Sequence, residues 1–136
     1  MKIKLGIFDW NGTLIDDLRV VYKTIVAIFE HFMLTPPTLR QFREGITTNF
    51  MRFYQDHGIP LHVTQEELLD LRRQVLKECW NEPYLQHGIA PLLWDCKRLG
   101  IQRAIISGEV PDILQARLEQ FGIAYHFNLI RGGVLY

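Results

Sequence analysis

Cysteine is scarce in this sequence of 136 residues, in which Cys79 and Cys96 are the only two. Two cysteines do not make the disulfide framework of a small secreted protein, and no Cys-x-x-Cys motif or paired histidine spacing indicates a zinc site. We therefore expect two buried thiols in a reducing compartment. Hydrophobic residues make up 48% of the chain, which favours a packed core over a disordered chain.

The sequence also lacks a long apolar run and a net charge. No stretch approaches the roughly 20 apolar residues of a membrane-spanning helix. Lysines interrupt the apolar start of the chain, which makes it a poor signal peptide. Fifteen basic residues balance fifteen acidic ones, so nucleic acids and anionic membranes would meet no net attractive field. These absences predict a cytoplasmic protein whose partners include neither nucleic acid nor membrane.

Three short apolar segments are each followed at once by turn residues, as is typical of buried strands. They cover residues 3–8, 101–106 and 127–130. Two helices are predicted between them in the second half of the chain, one from Pro91 to Leu99 and one that starts at Pro111. Strands that alternate with helices in this way predict an α/β fold with a parallel sheet and helices on its faces.

Residues 16 to about 80 contain a run of helical patterns with no strand between them. Asp16 and Asp17 are expected at the start of the first helix, where acids suit the helix dipole. The further helices are predicted after the capping residue Thr38, over residues 48–57, and after the capping box of residues 64–67. The prediction is an α/β core of residues 1–15 and 83–136, with a helical insertion of residues 16–82.

Polar residues follow two of the predicted strands. Asp9, Asn11 and Gly12 come directly after the first strand, and Ser107 and Gly108 come directly after the second. In open parallel sheets, ligands bind beyond the carboxyl ends of the strands. If the two strands are neighbours, the side chains of Asp9 and Ser107 can approach one common ligand.

Each of these polar residues has an ordinary structural alternative. For Asp9 the alternative is an acid of a simple turn, and for Ser107 it is a residue that merely precedes a helix. Trp10 is expected to pack in the core rather than to stack on a ligand. Glu109 could line the site, but it is expected to be an acid of a surface loop.

The two polar motifs resemble those of the haloacid dehalogenase superfamily, in its phosphoglycolate phosphatase-like type with a helical cap. The family's first motif, Asp-x-Asp-Gly-Thr-Leu/Val, matches residues 9–14 in all but one place. Its second motif, a Ser or Thr after an apolar strand, matches Ser107. The resemblance covers nearly the whole chain. It implies a partial Rossmann-like, three-layer core into which an α-helical cap is inserted.

The resemblance also implies a chemistry: a phosphohydrolase acts on a small phosphomonoester through an aspartyl-phosphate intermediate. Asp9 would be the nucleophile, because a carboxylate that attacks phosphorus divides one difficult displacement into two easier ones. Mg²⁺ would bridge the two anions, held by the Asp9 carboxylate and the Asn11 backbone carbonyl. Ser107, Gly108, Asn11 and Gly12 would bind the phosphate.

Two features depart from the family pattern. Asn11 stands where the family has an acid, and an amide cannot give the general acid–base help that is typically worth roughly 10²–10⁴-fold. The basic third motif, a Lys or Arg, is not assigned, since no lysine follows Lys97 and Arg131 lies too close to the third strand. The acidic fourth motif is not found, since no acid follows Glu119. Two alternatives therefore stay open. One is a truncated, non-catalytic relative that acts through binding or assembly, and the other is dehalogenase chemistry, in which Asp9 attacks carbon without metal.

The resemblance finally predicts an unpaired strand. Only half of the family's strand order can be built from these residues, so residues 3–8 would form an edge of the sheet. An apolar edge with unpaired backbone groups is a template for pairing with another strand. We expect either self-association through this edge or its pairing with a C-terminal segment of a longer form.

Overall fold

A computed structural model describes residues 2–46 and 49–134 of the protein. Its helices are α1 (Leu18–His31), α2 (Leu39–Gly45), α3 (Phe50–Asp56), α4 (Gln65–Glu78), α5 (Ile89–Arg98) and α6 (Pro111–Gln120). Its strands are β1 (Leu5–Phe8), β2 (Ile15–Asp16), β3 (Tyr84–Leu85), β4 (Gln102–Ile106) and β5 (Leu129–Arg131). The chain divides into an α/β unit, Met1–Asp17 with Tyr84–Tyr136, and a helical unit, Leu18–Pro83. None of the described helices combines the length and the apolar character that crossing a membrane requires.

The predicted parallel sheet is present, with the strand order β1-β4-β5. Strand β5 begins at Leu129, two residues later than the sequence predicts. A short 3-10 helix, Ala124–His126, precedes the strand. The Phe127 backbone N–H donates a hydrogen bond to the Ala124 carbonyl at the end of this helix. Since that N–H is engaged there, Phe127 packs into the core before the strand starts.

Helices α5 and α6 pack on one face of this sheet. Phe8 of β1 pairs with Ile105 of β4, and paired residues of parallel strands point to the same face. The core on this face contains Ile105 with Leu93 from α5 and Leu114 from α6, and each of these three side chains is completely buried. The opposite face carries the row Ile7–Ala104–Leu129.

Asp16 does not start a helix, contrary to the expectation, and Asp17 is the residue directly before α1. Asp16 pairs with Tyr84 in a two-residue antiparallel ribbon of β2 and β3, which keeps the chain extended up to this point. The first turn of α1 contains no acid. The Asp17 carboxylate instead accepts a hydrogen bond from the Gly12 backbone N–H.

The helical unit has an aromatic core, in which the rings of Phe29 and Tyr54 stack with centroids 5.9 Å apart. The predicted caps are confirmed: Thr38 opens α2, and Thr64 opens α4, each through a capping box. Helix α3 begins at Phe50 after the N-cap Asn49, whereas its predicted start at Thr48 lies outside the described residues. Both cysteines are buried thiols that form no disulfide bond, as predicted.

Candidate active site

Asp9 lies directly after β1, at the carboxyl end of the sheet, and its side chain is exposed. Its Oδ1 accepts a hydrogen bond of 2.7 Å from the Trp10 backbone N–H. Trp10 is only 1% exposed and packs in the core, as predicted. The Trp10 carbonyl accepts hydrogen bonds from the backbone N–H groups of residues 13, 14 and 15. A buried anchor and a tight turn therefore hold the exposed carboxylate at the end of the strand.

Ser107 directly follows the neighbouring strand β4, so the structure brings the loops that contain Asp9 and Ser107 to the same edge of the sheet. The Ser107 side chain is completely buried. Its Oγ accepts a hydrogen bond of 3.1 Å from the Glu109 backbone N–H, and its own backbone N–H donates to the Arg131 carbonyl. Gly108, the next residue, is exposed.

Asn11 lies between two buried carboxylates that the sequence analysis did not assign to the site. Its amide nitrogen donates to Asp17 Oδ2 at 2.6 Å and to Glu109 Oε2 at 3.1 Å. Asp17 Oδ1 accepts from the Gly12 backbone N–H, and Glu109 Oε1 accepts from the Val110 backbone N–H. All four carboxylate oxygens thus accept a hydrogen bond. The expectation that Glu109 is a surface acid is wrong, because Glu109 is only 5% exposed.

Burial raises the pKa of the Asp17 carboxyl, which is 8% exposed. The hydrogen bonds from the Asn11 amide and the Gly12 N–H lower this pKa, and the neighbouring Glu109 carboxylate raises it again. The Asn11 amide therefore partly compensates the cost of placing two acids side by side in a buried position.

The oxygen donors at the end of β1 fit the way in which proteins usually hold Mg²⁺. This ion is bound by one or two carboxylates together with substrate phosphates, and it keeps several waters. The exposed Asp9 carboxylate and the Asn11 backbone carbonyl offer such a sparse set. Within residues 2–46 and 49–134, no group of three or more His, Cys, Asp or Glu side chains could hold a metal ion.

The loop after β5 packs against the loop that contains Ser107. The backbone N–H groups of Gly133 and Val134 donate to the carbonyls of Glu109 and Ser107, at 2.7 and 3.1 Å. Gly132 directly precedes Gly133, and a Cβ atom built on it would lie 2.7 Å from the Glu109 carbonyl oxygen and 2.9 Å from the Pro111 Cα. Both neighbours are backbone atoms, which cannot move aside as a flexible side chain can.

We expect Gly132→Ala to lower the free energy of unfolding by about 1–3 kcal/mol, the usual cost of overpacking a tight contact. Urea denaturation measures this change. Gly108→Ala is the matched control, because a Cβ atom there would meet its nearest neighbour, the Val134 carbonyl oxygen, at an ordinary 3.6 Å. Equal stability of the two variants would contradict the close packing of these two loops.

Comparisons with known proteins agree with this architecture. The family model described as "Haloacid dehalogenase-like hydrolase" matches residues 6–135. The tyrosine-protein kinase PtkA of Mycobacterium tuberculosis is 27% identical over 140 aligned positions, which cover 95% of this chain and 44% of PtkA. The crystal structure of a predicted phosphatase from Clostridium acetobutylicum has a TM-score of 0.78 at 22% identity. The match covers 97% of this chain and 62% of that one.

A second solved structure, of a predicted phosphoglycolate phosphatase from Haemophilus somnus, has a TM-score of 0.74 at 20% identity. The match covers all of this chain and 65% of that one. The chain thus spans less than half of PtkA and less than two thirds of the two solved structures, and at these identities the structural likeness shows the fold alone. The family model, however, covers nearly the whole sequence. The chain therefore belongs to the haloacid dehalogenase-like hydrolases.

Proposed function

We propose that this chain is a phosphohydrolase that acts on a small phosphomonoester, with Asp9 as its nucleophile. The observation that carries the proposal is the exposed Asp9 carboxylate at the carboxyl end of β1, beside the loop that begins at Ser107. Membership of a hydrolase family and the likeness in fold to predicted phosphatases support a phosphohydrolase in general. We propose two further details: that Asp9 is the nucleophile and that the substrate is a small phosphomonoester.

In the proposed reaction the Asp9 carboxylate attacks the phosphorus atom. A bond forms between a carboxylate oxygen and phosphorus, and the bond from phosphorus to the leaving oxygen breaks. Water then attacks the aspartyl-phosphate, which releases inorganic phosphate and restores the carboxylate. The Asn11 amide cannot supply the proton that the leaving oxygen needs, so we assign that proton to solvent. Mg²⁺, held by Asp9 and the Asn11 carbonyl, supplies neutralising charge when it is bound.

The hydrogen bonds of the site divide the four proposed phosphate-binding residues into two pairs. The Gly12 N–H and the Asn11 amide already donate to buried carboxylates. Ser107 is the acceptor in its bond with the Glu109 N–H, so its hydroxyl hydrogen can be donated to a phosphate oxygen. We therefore assign the principal phosphate contacts to the Ser107 hydroxyl and the Gly108 backbone N–H.

We also propose roles for the two units. The α/β unit contains the residues assigned to the chemistry. The helical unit, Leu18–Pro83, is inserted directly after this site in the sequence, and we propose that it serves as the substrate-selecting cap.

The test is release of phosphate from p-nitrophenyl phosphate by the purified chain, with Mg²⁺ and with a chelator. We expect turnover that depends on Mg²⁺ and a raised KM in Ser107→Ala, because that variant loses a phosphate contact. Absence of turnover on p-nitrophenyl phosphate and a panel of small phosphomonoesters would refute the phosphohydrolase and favour a binding or assembly role. Release of halide from a haloacid without metal would favour the dehalogenase alternative.

The name of PtkA supplies a second candidate, since that relative is called a tyrosine-protein kinase. The same preparation should therefore be incubated with radiolabelled ATP and a tyrosine peptide. Label transferred to tyrosine, without release of phosphate from monoesters, would replace hydrolysis by phosphotransfer as the function.

Self-association is a further part of the proposal. Strand β1 pairs with β4 and lies at an end of the sheet formed by the described strands. Ile3, Leu5 and Ile7 are 62%, 51% and 61% exposed. We propose that a second copy of the chain covers this apolar edge.

A further inference from the structure

We propose that Asn11, Asp17 and Glu109 form one positioning unit, in which the Asn11 amide ties the loop after β1 to the loop after β4. The three residues are defined by the two hydrogen bonds of the Asn11 amide nitrogen. Asn11 and Glu109 are 98 residues apart in the sequence, so this contact joins two separate strand ends. The Asn11 amide thus has a positioning role of its own, in addition to replacing the acid that the family has at this position.

The chemistry of the two contacts requires a donor at position 11. Both carboxylates receive their bond from the same nitrogen, and a primary amide has two hydrogens to give. An ionised carboxyl at this position has only acceptor oxygens and would face two further acids. Placing a third ionised carboxyl, itself half-buried, beside two buried carboxylates is unfavourable because like charges repel. Aspartate has nearly the same size as asparagine, so the difference between them here is one of donor and charge.

Each acid of the unit also fixes the loop of a residue that the proposed reaction uses. Asp17 Oδ1 accepts from the Gly12 N–H, which fixes the turn beyond Asp9. Glu109 accepts from the Val110 N–H through Oε1, while the Glu109 backbone N–H donates to Ser107 Oγ. A shift of Glu109 would therefore move the Ser107 hydroxyl. The unit fixes the nucleophile loop and the phosphate-binding loop relative to each other.

A swap of acid and amide tests this arrangement. In Asn11→Asp/Asp17→Asn, the new amide at position 17 can donate to the new carboxylate at position 11. Its oxygen can still accept from the Gly12 N–H. The contact between positions 11 and 17 is thus rebuilt with the donor on the other side, whereas that with Glu109 is not. Each single variant loses a hydrogen bond. Asn11→Asp places acceptor against acceptor, and the amide of Asp17→Asn has one oxygen for two donors, so it faces either the Asn11 amide or the Gly12 N–H with its own N–H group.

The experiment is urea denaturation of the wild type, the two single variants and the double variant at one neutral pH. We expect a lower unfolding midpoint in both single variants, and a double variant that recovers at least half of the loss seen in Asn11→Asp. Asn49→Asp is the matched control. The Asn49 side-chain oxygen caps α3 by accepting from the Arg52 N–H, a contact that aspartate keeps, so its midpoint should not fall.

A wild-type midpoint in Asn11→Asp, or a double variant no more stable than the summed losses of the single variants, would overturn the positioning unit. The kinetic readout rests on the proposed function: kcat should fall in Asn11→Asp, although this variant has an acid at position 11, and rise again in the double variant, with less change in KM. A kcat above that of the wild type in Asn11→Asp would overturn the positioning role. Recovery of stability without recovery of kcat would restrict the unit to folding and overturn its positioning role. If the wild type hydrolyses no phosphomonoester, the proposed function fails, while the stability measurements still decide whether the three residues act together.

Discussion

Asp9→Asn is expected to reduce phosphomonoester hydrolysis by on the order of 10³-fold or more, because an amide oxygen is a far weaker nucleophile than a carboxylate. The fold should tolerate this change. Asp9 is exposed, and its Oδ1 accepts a hydrogen bond from the Trp10 N–H, which an amide oxygen can also accept. A loss of activity in Asp9→Asn would therefore report on the chemistry rather than on unfolding.

The matched control for this prediction is Asp95→Asn in helix α5. Asp95 is an exposed acid of the same unit and pairs with Arg98 at 2.9 Å on the protein surface. A surface ion pair of this kind contributes about 0–1 kcal/mol, so both turnover and the unfolding midpoint should stay close to those of the wild type. Both variants are assayed with p-nitrophenyl phosphate at the same Mg²⁺ concentration. Undiminished turnover in folded Asp9→Asn would exclude Asp9 as the nucleophile.

The parts of the fold that sequence patterns predicted correctly are those with local causes. The parallel strands β1 and β4 are short apolar segments that end in turn residues, and Pro111 at the start of α6 has the fixed backbone angle that suits this position. The capping box at Thr64 needs only residues three positions apart. Such features are visible in a window of a few residues, whatever the rest of the chain does.

The candidate site was predictable only in part, for a different physical reason. Asp9 and Ser107 follow from the rule that ligands bind at the carboxyl ends of parallel strands. The place of Glu109 in the site does not follow from this rule, because it involves a contact with Asn11, which lies 98 residues earlier. The available signal was its place two residues beyond Ser107, in a loop that the β1–β4 pairing brings beside the first loop.

The hydrogen bonds of Asp17 were not predictable because they depend on a ribbon too short to give a sequence pattern. Strands β2 and β3 contain two residues each, and alternation cannot be recognised over two positions. Near the predicted start of an apolar helix, the acid therefore looked like a partner for the helix dipole. In the structure the ribbon keeps the chain extended through Asp16, and the Asp17 carboxylate bonds to the loop after β1.

The contacts with Asp17 and Glu109 give the amide at position 11 a structural role that the sequence does not show. From the sequence alone, Asn11 is a departure from the family pattern that removes a proton donor. With Asp17 and Glu109 both hydrogen-bonded to the same amide nitrogen, asparagine is the residue that satisfies both carboxylates. An aspartate at position 11 would need one of the neighbouring acids to be neutralised first. For this reason the swap with Asp17 is a sharper experiment than the single substitution.

The second large effect is expected in the state of association. We expect the wild type to associate at micromolar concentration and Ile7→Lys to remain monomeric in sedimentation velocity. Ile7 is 61% exposed and lies on β1, whose described pairing is with β4. Leu5, two residues earlier on the same face of β1, is 51% exposed, so the edge presents two apolar side chains. Lysine on an edge strand opposes pairing because burying its charge in the new interface is costly.

The control separates the edge from general surface hydrophobicity. Leu61 in the helical unit is 81% exposed, more than Ile7, so Leu61→Lys removes at least as much exposed apolar surface without touching the sheet. We expect Leu61→Lys to associate like the wild type. Thermal denaturation of Ile7→Lys checks that the variant is still folded, since lysine is a weaker strand former than isoleucine by up to about 1 kcal/mol. A wild type that stays monomeric over the whole concentration range would refute pairing of two copies through β1, and equal dissociation by both lysine variants would place the contact elsewhere.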